Sequence, residues 1–461
     1  MRHTSLIVLL LTTAAVAAAR AETITVDLSG GADYETIREG IDNATSGDTV
    51  LVAPGTYNGY RNRELDFGGR AVVLMSGAGP EHTLIDAEVV TRAFCFRSGE
   101  DTTAMVVGFE IVNGYADSGA GVFCASASSP KFIDCTFAGN GLAGNTHSGG
   151  AVCCLESSPV FVDCRFIGNA AGADGYSSGG AVSVLSNSEP RFEDCSFSEN
   201  VAGWGGGIYA RRSRPVVVGC TFSYNEAYGG GGGMFAGAEA TPLVSRSTFL
   251  QNDSMDGAGL YSQSSTPLVF ECSFDRNAAD RRGGGIALLY PSHPVVARCT
   301  FVGNTADKGA AAHFEGDIDG SLLDCTAVEN STPTGGGALH CVSASPTLSG
   351  CIVAFNDAAA LVCEELAHRS APSMSHCFVF QNTGGDSLCG NHADNRYEDP
   401  LFCDTAGGDL TLCSDSACLP ENNSWGVPVG SHGEGCGSCG TAVDNTTWGR
   451  IKAMYGERAW P

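Results

Sequence analysis

The stretch that decides the fold is Cys135-Thr136-Phe137-Ala138-Gly139-Asn140, because variants of it recur along most of the chain. The next copy reads Cys164-Arg165-Phe166-Ile167-Gly168-Asn169, and later copies follow at intervals of 25 to 31 residues. The asparagines that close the copies are Asn140, Asn169, Asn200, Asn225, Asn252, Asn277, Asn304, Asn330, Asn356 and Asn382. A regular period of this length indicates one structural unit stacked on copies of itself.

Two further markers recur in the units. A proline stands ten residues before most of the asparagines, as Pro130 does before Asn140, although Gly320 takes this place in one unit. A glycine-rich segment such as Gly149-Gly150-Ala151-Val152 comes before the proline. Each unit therefore holds a glycine-rich turn, a strand, a proline turn, a second strand and an asparagine turn.

The spacing of the apolar residues within a unit is two, as for Cys135 and Phe137. This alternation puts both side chains on one face of a strand, whereas helical repeats need spacings of three, four and seven. About 26 residues are too few for a globular domain and suit one coil of a parallel β-helix, while the blades of a β-propeller run to about 40 to 50 residues. We therefore predict an all-β fold, a single-stranded parallel β-helix or solenoid.

Stacked coils lie about 4.8 Å apart, so equivalent side chains should form columns of phenylalanine, cysteine and asparagine. Ser247 replaces the cysteine in one unit, which argues against a covalent role at that position. Side chains of in-register neighbours also point the same way, which disfavours a bridge between them. We predict buried free thiols for Cys135, Cys164, Cys195, Cys220, Cys272, Cys299, Cys325, Cys351 and Cys377.

The repeat resembles a known one. Gly-Gly-Ala-Val/Ile followed by Phe-x-x-Asn is similar to the repeat of polymorphic outer-membrane proteins, surface adhesins whose passenger domain is a right-handed β-helix, and to the wider pectate-lyase-like superfamily. The resemblance covers about residues 119–382. It implies a right-handed coil and an adhesin-like role, and it is specific for fold rather than for activity.

The start of the chain reads as a signal peptide over residues 1–21, with Arg2 before an apolar run and Ala19-Arg20-Ala21 at its end. It predicts a secreted protein, extracellular or on the outer cell surface. No later run approaches ~18 apolar residues, so we expect no transmembrane segment. The net charge of −26 disfavours nucleic acid as a partner; it can attract cations, or serve solubility alone.

The remaining boundaries follow from changes in pattern. Residues 22–86 form an N-terminal cap and first coils, with a short helix predicted around 33–41, similar to the caps of secreted β-helix proteins such as pectin methylesterases. Residues 87–388 hold the β-helix repeats. Residues 389–440 form a Cys-rich C-terminal coil and cap, and 441–461 a basic, aromatic tail that suits either sorting or packing on the last coil.

Cysteines outside the column are candidates for disulfides in an oxidising compartment. The candidates are Cys124, Cys153, Cys154, Cys389, Cys403, Cys413, Cys418, Cys436 and Cys439. The Cys436-Gly-Ser-Cys439 motif lacks the second pair of ligands that a structural zinc site needs, so we read it as part of the disulfide set. The total of 21 cysteines leaves at least one without an internal partner.

Three carboxylates could form a metal site. Asp134, Asp163 and Asp194 each precede the column cysteine on consecutive coils, so they should stack on the outside. Calcium takes carboxylate oxygens. A solvated polar column is the alternative, and no other cofactor is predicted. The same three aspartates are the candidates for catalysis if the protein is an enzyme.

Long turns on the same coils could form a binding shelf. The turns from Asn140 to Gly149 and from Asn169 to Gly179 are longer than the equivalent turns of the coils that follow. Loops carry function more often than a scaffold does. The ligand-binding candidates are His147, Asp174 and Tyr176 in these turns, with Trp204 and Tyr209 as platforms for sugar rings. Neutral insertions and corner packing are the alternatives.

Three functions stay open. The first is a non-catalytic β-helix that binds a polysaccharide or cell-surface glycan. The second is a polysaccharide lyase or hydrolase with an atypical carboxylate site, since the Asp-Asp and Gly-His-Gly patterns typical of uronide hydrolases are absent from the sequence. The third is a structural spacer. We expect the first, without catalysis.

Overall fold

The computed structural model describes residues 21–142, 148–172, 177–290, 292–365 and 370–439. The predicted signal peptide and C-terminal tail lie outside these residues almost entirely, as do His147, Asp174 and Tyr176. The described chain is a parallel β-solenoid of about 15 turns, in which three long sheets run the length of the coil stack. The predicted fold class is confirmed.

Sheet A contains the strands that follow the proline turn: Thr23–Val26, Thr49–Val52, Val73–Ser76, Met105–Val107, Lys131–Ile133, Val160–Val162, Arg191–Glu193, Val216–Val218, Leu243–Ser245, Leu268–Phe270, Val295–Ala297, Ser321–Leu323, Thr347–Ser349, Ser373–Ser375 and Asn391–Ala393. Sheet B contains the strands that follow the column cysteine: Gly55–Tyr57, Thr83–Asp86, Glu110–Val112, Thr136–Ala138, Arg165–Ile167, Ser196–Ser198, Thr221–Ser223, Thr248–Leu250, Ser273–Asp275, Thr300–Val302, Thr326–Val328, Ile352–Ala354 and Phe378–Phe380.

Sheet C contains the strands that follow the glycine-rich turn: Phe94–Phe96, Val122–Cys124, Val152–Leu155, Val182–Leu185, Ile208–Arg211, Met234–Gly237, Leu260–Gln263, Ile286–Leu289, Ala312–Glu315, Leu339–Val342 and Leu361–Glu364. Short strands between sheets B and C, called sheet D here, are Tyr115–Ala116 and Gly141–Leu142, then Val201–Trp204, Glu226–Gly230, Asp253–Asp256 and Ala278–Arg282.

The phenylalanine column fills the interior beside sheet B. The register pairs Phe137 with Phe166 and Phe166 with Phe197, so equivalent residues lie directly over one another. The rings of Phe166 and Phe197 are 4.7 Å apart and nearly parallel, and the stack continues to Phe301. Such residues are fully buried, and truncating one costs about 3–5 kcal/mol in a typical core.

The asparagine column closes the turn after sheet B. Each side-chain amide nitrogen donates to the amide oxygen of the next asparagine, from Asn140 through Asn382, at 2.7–3.0 Å. The column ends at Asp386, whose carboxylate accepts from the side chain and backbone of Asn382. These buried polar side chains are thus hydrogen-bonded along the whole stack.

The nine column cysteines are buried free thiols, as predicted. Each thiol donates to carbonyl oxygens, as Cys164 does to Val162 at 3.3 Å. Ser247 fits the same place, because its hydroxyl donates to Ser245 and accepts from the backbone nitrogen of Cys220. The position therefore requires a small hydrogen-bond donor rather than a disulfide.

A helix caps the first coil at Ile37–Asn43, with a 3-10 turn at Tyr60–Asn62. The Thr36 hydroxyl accepts from the backbone of Glu39 and donates to its carboxylate, so this side chain caps the start of the helix. A Cβ at Gly40 would lie 2.8 Å from Val26, so the glycine lets the helix approach the coil closely. The predicted capping helix is present.

The C-terminal segment packs against the side of the solenoid. Its strands are Phe402–Asp404, Asp409–Cys413 and Glu434–Cys436, and its apolar residues contact the outer face of sheet B in a second small core. The backbone nitrogen of Gly430 donates to Gly350 at 2.7 Å, which fixes the segment on the coils. In the described ranges, no helix is long and apolar enough to span a membrane.

Candidate functional site

The outer face of sheet C carries the densest group of aromatic and charged side chains in the described structure. On strand Ala312–Glu315, Ala312 and Phe314 belong to the solenoid core, so His313 and Glu315 point outward. Many outward residues of this face are nevertheless buried, because the ends of sheet D lie beside it: a Cβ at Gly230 would meet the Tyr261 ring at 2.9 Å. The face is therefore a groove along the coils.

Its first half is aromatic. Tyr209 and Phe235 stack with ring centroids 4.9 Å apart and nearly parallel planes. Trp204 contacts Phe235 edge-on at 5.4 Å and Tyr261 at 6.0 Å. Phe235 can fold over its strand because residue 237 is a glycine, where a Cβ would lie 2.7 Å from the ring.

A cavity of about 260 Å³ opens beside these rings. Tyr209 and Phe235 line it together with the polar side chains of Arg211, Gln263 and Ser264. Tyr209 is only partly buried, so one ring remains accessible from the cavity. Aromatic surface beside hydrogen-bonding groups is a common way to bind the apolar and hydroxylated faces of one ligand.

The second half of the groove begins with a buried carboxylate. Asp256 is 2% exposed and accepts from Arg282 through both oxygens, at 3.0 Å each. Arg281 bonds the same carboxylate at 2.6 Å. This one buried aspartate holds both guanidinium groups at the groove. Its bidentate pair with Arg282 fixes direction as well as distance. The charges raise the pKa of Arg282, chiefly through Asp256 against the effect of burial.

Two histidines lie beyond the arginines, one above the other. His313 and His340 are paired in register on neighbouring strands, and both side chains are fully buried. Their rings are nearly parallel with centroids 5.1 Å apart, and their Nδ1 atoms are 3.2 Å apart. The Nε2 atom of His313 lies 3.2 Å from Glu315, and that of His340 lies 3.2 Å from Glu364.

The two carboxylates have cationic partners as well. Arg282 bonds Glu315, and the Lys308 ammonium lies 2.7 and 2.9 Å from the oxygens of Glu364. The hydrogen bond from His313 and the neighbouring Arg282 lower the pKa of Glu315 to about 2, despite its partial burial. The hydrogen bond from Lys308 lowers the pKa of Glu364 as well. Both carboxylates are therefore charged at neutral pH.

Burial has the opposite consequence for the imidazoles. Loss of solvent lowers the pKa of His340 to about 4, assisted by the neighbouring His313. The pKa of His313 is lowered too, again mainly by burial. Both rings are thus neutral at neutral pH. His313, Glu315 and Glu364 line a cavity of about 310 Å³, whose walls also include Arg281, Asp307 and Lys308.

The predicted aspartate column lies on another side of the solenoid, at the corner between sheets A and B. Asp134, Asp163 and Asp194 all have positive φ, from 48° to 53°, and Gly219 takes the next place with φ 66°. Aspartate tolerates this left-handed conformation, but Arg246, Glu271 and Arg298 adopt it at the same corner of later coils, so the conformation alone does not require aspartate. Asp134 is half exposed and lies 3.6 Å from Arg165.

The described structure does not bring the oxygens of these three aspartates within 4.8 Å of one another. A calcium site there stays a prediction, as does a catalytic role. Of the predicted ligand-binding residues, Trp204 and Tyr209 lie together in the aromatic half of the groove. His147, Asp174 and Tyr176 lie outside the described residues.

The disulfides differ in part from those expected. The structure contains Cys363–Cys389, Cys403–Cys436 and Cys413–Cys439. Cys363 is a partner that the sequence reading missed. The candidates Cys124, Cys153, Cys154 and Cys418 are instead buried free thiols. Cys124 and Cys154 are paired in register on parallel strands, so their side chains point the same way and do not meet end to end.

A cluster of cysteine sulfurs in the C-terminal segment could in principle hold a metal. The sulfurs of Cys403, Cys413 and Cys436 lie within 4.8 Å of one another. All three, however, belong to the two neighbouring disulfides, and a disulfide sulfur is not the thiolate that zinc requires. The cluster is therefore a pair of packed disulfides.

The charged half of the groove was missed from the sequence. Arg281-Arg282, Lys308 and Glu364 fall on different coils, and nothing in their spacing shows that sheet D brings them together. The usable signal was His313 and His340, which occupy the same position of consecutive units, two residues after Ala311 and Ala338 of the glycine-rich turn. A histidine repeated at one outward position already predicts a stacked pair.

Comparison with known proteins agrees with the coil geometry. The sequence profile of a family described as "Right handed beta helix region" matches residues 93–230 and, in an overlapping second match, 180–344. No curated protein is similar enough in sequence to count as a relative.

Solved structures with similar coils include pectin methylesterase from carrot (12% identity, TM-score 0.32, 54% of this chain and 82% of that one). Pectate lyase Pel9A is another (9% identity, TM-score 0.37, 90% and 97%), as is the PL6 family alginate lyase AlyGC (9% identity, TM-score 0.40, 85% and 55%). At these identities and scores, the similarities carry no information on substrate or reaction.

The two profile matches together span residues 93–344, which is more than half of the 461-residue chain. They cover the ladders of phenylalanine and asparagine and the strands that carry His313 and His340. The chain therefore belongs to the family of right-handed β-helix proteins.

Proposed function

We propose that this protein is a non-catalytic β-helix that binds a neutral glycan in the groove on the outer face of sheet C. One observation carries the proposal. The aromatic group of Trp204, Tyr209, Phe235 and Tyr261 lies on the same outward face as the charged cavity that His313 lines, a few coils away. An extended chain of sugars could contact both halves at once.

The aromatic half suits the apolar faces of sugar rings. A pyranose presents C–H groups on one face, and aromatic rings bury such surface well. Tyr209 is the accessible ring, with Phe235 stacked behind it. Burial raises the pKa of Tyr261 to about 12, so its hydroxyl stays protonated and can donate a hydrogen bond at any physiological pH.

The charged half suits hydroxyl groups better than a polyanion. Arg281, Arg282 and Lys308 form ion pairs with Asp256, Glu315 and Glu364, so the charges of these six groups compensate. Asp307 adds one more carboxylate to the cavity wall. Paired charges still offer donors and acceptors to hydroxyls, whereas the net charge of −26 on the chain opposes the approach of an acidic polymer. This balance favours a neutral glycan.

The predicted signal peptide at residues 1–21 supports a location outside the cytoplasm, and the three disulfides are typical of an oxidising compartment. We propose that the protein is secreted or held at the outer cell surface, where an adhesin-like role in binding glycans would be exercised.

A glycan array followed by calorimetry with the best neutral oligosaccharide tests the proposal. Replacing Tyr209 by Ala should weaken binding about three- to tenfold, the usual value of an aromatic contact. Tyr224→Ala is the matched control, since Tyr224 is an exposed tyrosine on another side of the solenoid, 55% accessible. Absence of any neutral ligand, or equal binding by both variants, would remove the groove as the site.

A polysaccharide-active enzyme is the second candidate, and one observation favours it. Glu315 and Glu364 stand two coils apart on one face, so their backbones lie about 9.6 Å apart along the stack, and paired carboxylates are the catalytic groups of most glycosidases. The lowered pKa of both carboxylates means that neither is protonated at neutral pH to act as the general acid, which favours binding.

Release of reducing sugars or unsaturated uronides across a panel of polysaccharides separates the two candidates. Activity that disappears in Glu364→Gln would establish an enzyme in this groove. Activity that disappears only in Asp163→Ala would point to the aspartate column instead. We expect neither.

A further inference from the structure

The histidine pair beneath the charged cavity has an unusual count of protons. Three contacts involve its ring nitrogens: Glu315 with His313, His313 with His340, and His340 with Glu364, each 3.2 Å long. Each contact needs one proton to be a hydrogen bond. Two neutral imidazoles carry only two, so one contact in the chain lacks its proton at neutral pH.

The surroundings decide whether a third proton can enter. Glu315 and Asp256 favour it at His313, and Glu364 favours it at His340, whereas Arg282, Lys308 and the facing imidazole oppose it. Both rings are also removed from water. The balance keeps the closed pair neutral and lowers the pKa of both histidines, that of His340 to about 4.

A local opening of these coils changes that balance. Once exposed to water, each imidazole regains an ordinary pKa of about 6.5, and each ring readily takes up one further proton. Protons therefore bind the open form more strongly than the closed form between about pH 6.5 and 4, and acid shifts the population toward the open form. The carboxylates do not contribute above about pH 5, because they are charged in both forms.

We propose that the His313–His340 pair is an acid-sensitive latch under the cavity, closed at neutral pH and opened by acidification. Opening separates the outward side chains of strands Ala312–Glu315 and Leu339–Val342, and with them the carboxylates that hold Arg282 and Lys308 in place. The consequence for ligand release rests on the proposed glycan-binding function; the latch itself does not.

Hydrogen–deuterium exchange on the full chain tests the latch. After correction for intrinsic rates, the opening equilibrium of peptides covering 312–315 and 339–342 should rise from pH 7.5 to pH 5 by about 30-fold for each histidine that takes up a proton with a pKa near 6.5, which makes about 900-fold for the two. In the double variant His313→Gln, His340→Gln this rise should vanish. Retention of the rise in the double variant would overturn the proposal.

His293→Gln is the matched control. His293 is 77% exposed and pairs with Asp319 on the same solenoid, so its removal should leave the pH dependence of the two strands unchanged. If the double variant does not fold, nitrogen NMR of labelled histidines in the natural protein decides instead. Two rings that titrate well below the ordinary pKa of about 6.5 support the latch, and titration of all rings near 6.5 contradicts it.

Calorimetry with the neutral oligosaccharide identified on the array separates the two proposals. Control of the site by the latch is supported if binding to the natural protein weakens at least tenfold from pH 7.5 to pH 5, while binding to the double variant does not weaken between the same two pH values. An acid-dependent opening without any glycan ligand would leave the latch intact and remove only the binding function. Glycan binding that is equal at both pH values in the natural protein would overturn the control of ligand release.

Discussion

The amide oxygen of Asn277 accepts two hydrogen bonds from Asn252, one from the side-chain nitrogen at 2.9 Å and one from the backbone nitrogen at 3.1 Å. The Asn252 side chain also donates to the carbonyl of Phe222 at 3.0 Å. One amide thus satisfies the backbone of two neighbouring turns, and the arrangement repeats in every unit from Asn140 onward.

Replacing Asn252 by Ala should therefore destabilise the protein by about 2–3 kcal/mol, because buried backbone groups on both sides lose their partners. The midpoint of urea unfolding measures this. Asn58→Ala, at an exposed position, is the control and should have little effect. Equal midpoints for the two variants would contradict a structural role for the column.

The free thiols give a second prediction. All 15 free cysteines are buried and thus out of reach of a reagent in solution, and burial also raises the pKa of Cys153 to about 12. We expect almost no reaction with Ellman's reagent in the native protein and 15 reactive thiols after denaturation without reductant. Fewer thiols after denaturation would mean that column cysteines, or Cys124 and Cys154, form bridges.

The ion pairs of Glu315 give a prediction for acid. Its pKa of about 2 lies below the ordinary value of 4.5, so its contacts stabilise the fold above pH 4.5 and are lost as the pH falls toward 2. Glu315→Gln should lower the melting temperature at pH 7 and reduce its fall between pH 4.5 and 2.5. Thermal unfolding across this range measures both, with Glu199→Gln, at an exposed corner position, as the control.

The disulfide Cys363–Cys389 gives a prediction for the last coils. It closes 26 residues and ties the strand that carries Glu364 to the C-terminal segment. Removing such a link costs about 3 kcal/mol through the entropy of the unfolded chain. Cys389→Ser should therefore raise exchange in residues 361–364 while strands near Phe166 stay protected, and uniform exchange along the chain would contradict this local role.

The sequence predicts the coil well because the residues inside it repeat. Phe137, Cys135 and Asn140 have the same neighbours in every unit, so one copy explains the rest. The groove could not be predicted in the same way. Its ion pairs, Arg282 with Glu315 and Lys308 with Glu364, join residues of different coils, and they form only because the end of sheet D lies beside sheet C.

The disulfides show the same limit. Cysteine spacing identified the C-terminal group but not Cys363, whose partner is set by how the last strand meets the segment after it. Cys124 and Cys154 suggested a bridge because adjacent coils bring them close, yet parallel in-register strands keep their thiol groups side by side. Proximity was predictable, whereas direction depended on the register.

The alternation of inward and outward side chains along sheet C places two different constraints on the sequence. Inward positions such as Phe314 must match the coils above and below, whereas outward positions such as Tyr209 also form the surface that a ligand in the groove would contact. Whole units can therefore be gained or lost without disturbing the interior. A lineage of such proteins could change its ligands through substitutions at the outward positions of one surface while the coils beneath it stay the same.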